Sequence, residues 1–220
     1  MSEKIKYGVI GYKGRLGSEV VNVFNENNHS LVYTFDLDGV YQTGKPEVLI
    51  DCSLPDVLEK TIATVTENKI PLVLATTGLS NGQFDKLREI SNRIPVVQSY
   101  NFSTGIQILL KLTQIAAEKL PGWDVEIEEI HHRFKKDKPS GTAKMIENIL
   151  KDRSVNISSL RLGNVPGDHT VSFGGLGEVL SIKHSATSRR TFAEGILKSA
   201  EFIVKKDKGF FSFTDVVFGE

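Results

Sequence analysis

The sequence has little cysteine and no excess of charge of either sign. Cys52 is the only cysteine among 220 residues, which excludes an intrachain disulfide and a cysteine-based zinc site. Lys plus Arg and Asp plus Glu each number 27, so the formal net charge is zero and nothing favours a nucleic-acid or anionic-membrane partner. No apolar run approaches membrane-spanning length, and residues 1–4 carry no apolar signal segment. We therefore expect a globular protein of the reducing cytoplasm.

Short apolar runs alternate with amphipathic segments over the first hundred residues. Buried strands are predicted for residues 5–10, 30–35, 47–51, 71–75 and 95–98. Three intervening segments, from residues 18, 55 and 81 onward, have the apolar spacing of helices. Residues 37–46 are too short and too broken by Gly and Pro for a crossover helix, so a loop is expected there. The pattern predicts an α/β fold with a doubly wound parallel sheet.

The second half of the sequence has a different pattern. Helices are predicted over residues 104–120, 139–150 and 191–204, a strand over 123–133, strand-like pieces within 160–185 and an extended stretch over 211–218. Glycines separate the strand-like pieces, as is usual for turns between neighbouring strands. This half predicts a smaller α+β region with an antiparallel or mixed sheet.

A glycine turn follows the first predicted strand. Gly11, Gly14 and Gly17 lie where a dinucleotide-binding turn needs glycine, so that backbone N–H groups approach a pyrophosphate at a helix N-terminus. Asp36, at the end of the second strand, is placed to accept hydrogen bonds from a ribose, which favours NADH. Lys13 and Arg15 offset that charge, so the preference between NADH and NADPH stays open. The alternative is an ordinary tight turn.

Polar tetrapeptides follow the fourth and fifth predicted strands. Residues 75–78 read ATTG and residues 99–102 read SYNF. Ligands of open parallel sheets bind at the carboxyl ends of strands, so these hydroxyl and amide groups are candidates to hold a nicotinamide. The same residues are also common turn formers.

Residues 130–143, which read IHHRFKKDKPSGTA, carry the richest chemistry. If the predicted strand continues through His132, then His131 and His132 point to opposite faces and have different roles. The lysines at 135 and 136, followed by Ser-Gly-Thr at a predicted helix start, suit a substrate bearing carboxylates, and a histidine suits proton transfer. The alternative is a solvated basic loop. A zinc site is disfavoured for lack of a third ligand, and His169 and His184 are expected to be structural.

These motifs together resemble the dihydrodipicolinate reductase family. The matching segments are GYKGRLG (11–17), ATTG (75–78), YNFSTG (100–105), HHRFKKDKPSGTA (131–143), VPGDHTVSFGGLGE (165–178) and SRRTFAEG (188–195). They follow the family's order over almost the whole chain. The resemblance implies NADH or NADPH as cofactor, no metal, and reduction of 4-hydroxy-tetrahydrodipicolinate in the diaminopimelate and lysine pathway.

The resemblance also implies a domain organisation and residue roles. A Rossmann-type dinucleotide-binding domain would comprise residues 1–102 and 190–220, and a substrate-binding domain that mediates a homotetramer would comprise residues 103–189. His131 would be the catalytic acid/base and Lys135 the proton donor. The substrate contacts would be His132, Ser140, Gly141 and Thr142. The cofactor contacts would be Gly11, Tyr12, Lys13, Gly14, Arg15, Leu16, Asp36, Ala75, Thr76, Thr77, Ser99, Tyr100, Asn101 and Phe102.

The chain departs from the family pattern near the expected adenosine site. Leu37 stands where some members carry an arginine for the 2'-phosphate, and Ala75 replaces a common glycine. These departures bear on NADPH preference and not on the reaction. Two other functions remain alternatives: a non-catalytic NAD(P)-sensing protein, and a Rossmann dehydrogenase of another small carboxylate.

Overall fold

The computed structural model describes residues 3–219, which divide into two units. The chain leaves the first unit after Phe102 and rejoins it at Arg189, and the second unit spans Ser103–Ser188. Within the described residues, no helix has the length and apolar character needed to cross a bilayer. The ligand of each unit remains a prediction made from the sequence.

The first unit contains a seven-stranded sheet in the described part of the chain, with the order β11-β6-β5-β4-β1-β2-β3. Its strands are β1 (Lys6–Ile10), β2 (Ser30–Asp36), β3 (Gly39–Gln42), β4 (Val48–Asp51), β5 (Leu72–Leu74), β6 (Pro95–Gln98) and β11 (Gly209–Ser212). All neighbouring pairs are parallel except β2 and β3, which form an antiparallel hairpin. The strands β4, β5 and β6 are buried along their whole length and are apolar except for Asp51 and Gln98 at two of their ends, as is typical of strands covered on both faces.

Helices cover both faces of this sheet. They are α1 (Arg15–Glu26), α2 (Leu58–Asn68), α3 (Asn81–Ser91), α6 (Arg190–Ile203) and α7 (Phe213–Phe218), with a 3-10 turn at Pro55–Val57 before α2. One apolar cluster joins Val20 of α1 and Ile196 of α6 to β1, and another joins Leu58 of α2 and Leu87 of α3 to the opposite face. The predicted doubly wound α/β fold is confirmed.

Two predictions for the first unit are wrong. Residues 37–46 are not simply a loop, because they contain β3, whose residue Gly39 pairs with Asp36 across the two-residue turn Leu37–Asp38. The stretch 211–218 is not extended throughout, because β11 ends at Ser212 and α7 follows. Ser212 starts this helix with a reciprocal capping box to Asp215, the helix-start signal that the sequence analysis overlooked.

The second unit contains a four-stranded mixed sheet with the order β10-β9-β7-β8. Its elements are α4 (Thr104–Lys119), β7 (Asp124–His131), α5 (Gly141–Ile149), β8 (Val155–Arg161), β9 (Asp168–Gly174) and β10 (Val179–Ser185). The strand β8, which runs parallel to β7, begins earlier than the predicted strand-like region. The apolar core of the unit joins α4 and α5 to one face of this sheet, through residues such as Ile127, Phe173 and Ile146.

Candidate active site

The glycine turn is tightly built. Gly11 has a φ of +78°, and a Cβ at Gly17 would lie 2.1 Å from the Gly11 carbonyl oxygen, so both positions require glycine. Gly14 is the N-cap of α1, which therefore begins at Arg15, three residues before the predicted start. The N-terminal N–H groups of α1 consequently lie in the turn, as a pyrophosphate site needs. Tyr12 and Leu16 pack partly against the core.

A second arginine lies near this turn. Arg189 is the N-cap residue of α6, and both burial and the charge of Arg15 lower the pKa of Arg189. Arg15 and Arg189 therefore add positive charge on this side of the first unit. The sequence analysis missed Arg189, although it lies within the SRRTFAEG segment.

The carboxylate of Asp36 lies against the turn. Its Oδ2 accepts a hydrogen bond from the Lys13 backbone N–H at 3.0 Å, and its Oδ1 accepts one from Leu37 at 2.8 Å. The ammonium of Lys13 pairs instead with Asp38 at 2.7 Å, and Tyr12 also donates to Asp38. Asp38 therefore adds a second carboxylate that the sequence analysis did not consider.

The segment after β5 is held by a buried carboxylate. Asp51, fully buried at the end of β4, accepts hydrogen bonds from the hydroxyls of Thr76 at 2.9 Å, Thr61 at 2.6 Å and Ser53 at 2.6 Å. The predicted cofactor residue Thr76 thus has its hydroxyl engaged within the protein. The neighbouring residue Thr77 is exposed, and Ala75 continues the strand pairing to Asp51.

The segment after β6 forms a compact turn. The hydroxyl of Ser99 donates to the Asn101 carbonyl at 2.8 Å and accepts from the Asn101 N–H at 3.2 Å. Phe102 is 3% exposed and its ring packs at a tilt against Phe213, with the ring centres 5.2 Å apart, so its side chain is a core group. Tyr100 is exposed and its ring faces Phe84. Among the predicted cofactor contacts of this segment, Tyr100 has an exposed side chain. The side chain of Phe102 is buried, so only its backbone is available to contact a cofactor.

The buried face of β7 begins with apolar residues and ends with charged and polar ones. Val125 and Ile127 are followed on the same face by Glu129, which is fully buried, and by His131, which is 7% exposed. Glu129 pairs with His131 Nδ1 and receives both terminal nitrogens of Arg161, at 2.9 and 3.0 Å. The sequence analysis identified His131 but missed Glu129 and Arg161. The available signal was the break in alternation, where a carboxylate takes an inward position of the strand.

The environment of His131 sets its protonation. Burial lowers the pKa of His131, the charge and hydrogen bond of Glu129 oppose this shift, and Lys135 and Arg161 reinforce it. Burial by itself would raise the pKa of Glu129, but hydrogen bonds, from Arg161 first, outweigh it and hold that pKa at about 2. Glu129 is therefore ionised at neutral pH. His131 is a mainly neutral imidazole that remains able to exchange a proton.

The start of α5 lies beside this cluster. Ser140 is the N-cap of α5, and its hydroxyl accepts from the Ala143 N–H and pairs with His169 Nε2 at 3.3 Å. Gly141 begins the helix and Thr142 is buried in its first turn. The N-terminal turn of a helix presents N–H groups to anions, which is the property expected for a carboxylate site.

His169 of β9 is buried beside this cluster. Its ring meets the His131 ring edge-on at 5.2 Å. Burial first, with the charge of His131 second, lowers the pKa of His169 to about 3. A neutral His169 therefore supports Ser140 and the start of α5.

The loop after β7 carries the remaining predicted groups. The strand ends at His131, so the half-buried His132 lies beyond it and the predicted alternation of strand side chains does not apply to His132. The ammonium of Lys135 pairs with Asp137 at 2.8 Å, and Arg161 donates to the carbonyls of Lys135 and Asp137. This arrangement places Lys135 on a loop anchored to the same arginine that holds Glu129. The neighbouring lysines 136 and 138 are exposed.

Within residues 3–219, no group of three or more His, Cys, Asp or Glu side chains is arranged to hold a metal ion.

Known proteins resemble this chain over most of its length. The family model described as dihydrodipicolinate reductase, C-terminus matches residues 105–217, and the model for the N-terminus matches residues 31–102. The chain is 47% identical over 213 residues to 4-hydroxy-tetrahydrodipicolinate reductase of Thermosipho africanus, which covers 97% of this chain and 98% of that relative. The enzyme of the same name from Caldanaerobacter subterraneus is 35% identical, over 97% and 98% of the two chains.

Solved structures share the fold. Dipicolinate-bound dihydrodipicolinate reductase from Paenisporosarcina sp. TG-14 superposes with a TM-score of 0.78 at 22% identity, over 96% of this chain and 98% of that chain. Aspartate semialdehyde dehydrogenase II from Vibrio cholerae has a TM-score of 0.56 at 10% identity, over 93% and 99% of the two chains. The sequence identity to the reductases extends over almost the whole chain, which distinguishes that family from proteins that share only the fold. The chain belongs to the dihydrodipicolinate reductase family of oxidoreductases.

Proposed function

We propose that the protein reduces 4-hydroxy-tetrahydrodipicolinate to tetrahydrodipicolinate with NADH or NADPH, in diaminopimelate and lysine biosynthesis. The observation that carries the proposal is the buried His131, held by Glu129 beside the start of α5, in a chain 47% identical to a reductase of that name. The single cysteine also fits the cytoplasmic location of a biosynthetic enzyme.

The first unit would hold the nicotinamide cofactor. The fit is supported by the glycine turn, where side chains at positions 11 and 17 would clash with the backbone and where α1 begins. The strand-end segments 75–77 and 99–102 would face the nicotinamide end. When bound, the cofactor supplies the hydride of the reaction.

The second unit would bind the dicarboxylate. The N–H groups of Gly141 and Thr142 in the first turn of α5, together with His132, would hold a carboxylate, and Ser140 would fix that turn. The ammonium of Lys135 adds a cation close in sequence to these groups. Positive charge there stabilises the negative charge that develops on the ring during hydride addition.

His131 and Lys135 would manage the proton. Addition of a hydride and a proton to the substrate, with loss of its 4-hydroxyl group as water, balances the conversion to tetrahydrodipicolinate. His131 would act as acid/base, and Lys135 would donate a proton. A positioned acid or base of this kind contributes about 10²–10⁴-fold to a rate.

Oxidation of NADH and NADPH at 340 nm, with and without freshly generated substrate, tests the function. We expect substrate-dependent turnover that falls about 10²-fold or more in His131→Ala and in Lys135→Ala. Lys138→Ala, in the same loop but exposed, is the matched control and should keep the wild-type rate. Cofactor binding without turnover would indicate a sensing protein instead. Turnover only with another small carboxylate would indicate a different dehydrogenase.

The carboxylates at the end of β2 support a preference for NADH. Asp36 and Asp38 place two carboxylates beside the turn, and Lys13 is already paired with Asp38. A 2'-phosphate there would meet like charge, so we expect a lower KM for NADH than for NADPH. Asp36→Ser should lower the KM for NADPH relative to NADH. An unchanged KM ratio would contradict this assignment.

A homotetramer would form through the second unit. The helices α4 and α5 cover one face of the mixed sheet, and residues such as Ile130 and Thr170 lie half-buried on the other face. Light scattering after size exclusion measures the assembly. A monomer at micromolar concentration would contradict this part of the proposal.

A further inference from the structure

Glu129 is a buried carboxylate whose hydrogen bonds reach three different elements. Its oxygens contact Arg161 of β8, the N–H of Ser140 before α5 at 3.3 Å, and His131 two residues along its own strand. A carboxylate with no solvent exposure needs such partners, because an unpaired buried charge is strongly unfavourable.

The position of Glu129 is fixed independently of His131. Arg161 lies opposite His131 in the parallel pairing of β7 and β8, and its guanidinium donates a hydrogen bond to each oxygen of Glu129. A two-pronged contact of this kind fixes orientation as well as distance. The same guanidinium donates to the carbonyls of Lys135 and Asp137, which links the carboxylate to the loop that carries Lys135.

The carboxylate dictates which nitrogen of His131 carries the proton. An ionised carboxylate only accepts hydrogen bonds, so the Nδ1 atom that pairs with it must be a donor. The Nε2 atom is then the one that gains and loses a proton. On that side the chain passes at Gly167, where a Cβ would lie 3.0 Å from Nε2, so the lack of a side chain leaves the nitrogen uncrowded.

The pair also keeps His131 titratable. Arg161 neutralises the charge of Glu129, so the carboxylate orients the ring without forcing it into the imidazolium form. The other ionisable groups that act on His131 are Lys135 and Asp137 from the loop and His169 from β9.

We propose that Glu129 is a positioning residue that holds His131 in the Nδ1–H tautomer and orients Nε2 for proton exchange with the substrate. This role rests on the proposed function and adds a residue to the acid/base machinery. Arg161 supports it by fixing the carboxylate.

Ring nitrogen chemical shifts of ¹⁵N-histidine-labelled protein test the proposal without substrate. His131→Gln identifies the signal by its disappearance. Above the pKa of His131, the wild-type protein should show the Nδ1–H tautomer at this ring. An Nε2–H tautomer in the wild type would overturn the proposal, and this measurement needs no folded variant at position 129.

Glu129→Gln supplies the second test, because the amide keeps the shape of the carboxylate and can donate to Nδ1. We expect His131 to change to the Nε2–H tautomer, the pH profile of kcat to shift, and kcat to fall by about 10²–10⁴-fold, as in other carboxylate–histidine pairs. The KM should stay within about threefold, because the variant changes proton transfer more than binding.

Glu147→Gln is the matched control, since Glu147 is an exposed carboxylate of α5 in the same unit with no assigned role in the site. It should leave the tautomer and kcat unchanged. A folded Glu129→Gln protein with the wild-type tautomer and kcat within about threefold of wild type would contradict the positioning role. A wild-type protein that has the Nδ1–H tautomer but does not turn over the substrate would contradict the proposed function and leave the tautomer result standing.

Discussion

In the first unit the candidate ligand contacts lie in turns at the ends of strands, whereas in the second unit the candidate catalytic groups lie on the face of a strand. The glycine turn follows β1 and the segment 75–77 follows β5, so both present backbone and short side chains at one edge of the sheet. Glu129 and His131 instead occupy inward positions of β7. The candidate site of the first unit is formed mainly by backbone groups, and that of the second unit is formed by buried charged side chains.

This difference implies different sensitivities. A backbone site is disrupted by added atoms, since close approach is what glycine permits. A buried ionic site is disrupted by added protons, because they neutralise Glu129 and charge the buried, neutral His169. The single tryptophan, Trp123, lies in the second unit, so its fluorescence reports on that unit.

Acid should destabilise the second unit most. His169 has a pKa of about 3 against a usual 6.5, so the unfolded chain binds more protons between these values and stability falls as the pH drops through this window. We expect the unfolding free energy reported by Trp123 to fall by about 2–3 kcal/mol between about pH 7 and pH 4.5 from this group. Denaturant titrations at several pH values measure it.

His169→Gln should remove this part of the pH dependence, because glutamine does not titrate. The control is His29→Gln, which changes a buried histidine of the first unit. It should not change how the unfolding free energy reported by Trp123 depends on pH. An equal slope in His169→Gln and wild type would show that other groups of the second unit dominate its acid response.

Added atoms should disturb the first unit. Gly17→Ala places a Cβ 2.1 Å from the Gly11 carbonyl oxygen, so the turn must shift. We expect a loss of about 1–3 kcal/mol in unfolding free energy, with weakened NADH binding. Circular dichroism and titration of NADH fluorescence measure the two effects.

Gly14→Ala is the matched control for this substitution. Its Cβ would meet only the Gly11 oxygen, at 3.2 Å, and its φ of −66° suits any residue. Its cost should stay below about 1 kcal/mol and below that of Gly17→Ala, since alanine is only moderately worse than glycine at an N-cap. Equal losses in the two variants would mean that the turn does not depend on the close approach at Gly17.

Sequence periodicity predicted most of the first unit because its central strands are short, mostly apolar runs and its glycine turn is contiguous. It failed at β3, whose exposed residues pair only with the edge strand β2 and have no apolar face to reveal them. It also failed at α7, where Phe211 and Phe213 resemble a strand although Ser212 and Asp215 cap a helix.

The second site was only half predictable from the sequence. His131, Lys135 and the Ser-Gly-Thr step lie within a dozen residues, so a local motif identified them. Arg161 joins them only through the parallel pairing of β7 with β8, a contact 32 residues away from Glu129 that no local pattern encodes. The same holds for His169, which reaches Ser140 from β9.

The smallest expected effect concerns Asp51, the one buried carboxylate that the first unit places among its strand ends in the described residues. Thr76→Val keeps the shape of the side chain but removes one of the hydroxyls that donate to Asp51, which keeps Thr61 and Ser53 as donors. We expect a loss of about 1 kcal/mol in unfolding free energy. Thr77→Val, exposed and adjacent, should cost less than about 0.5 kcal/mol. If the two valines cost the same, the hydrogen bond from Thr76 to Asp51 would not support the strand-end site, and backbone geometry alone would distinguish the first unit from the buried charges of the second.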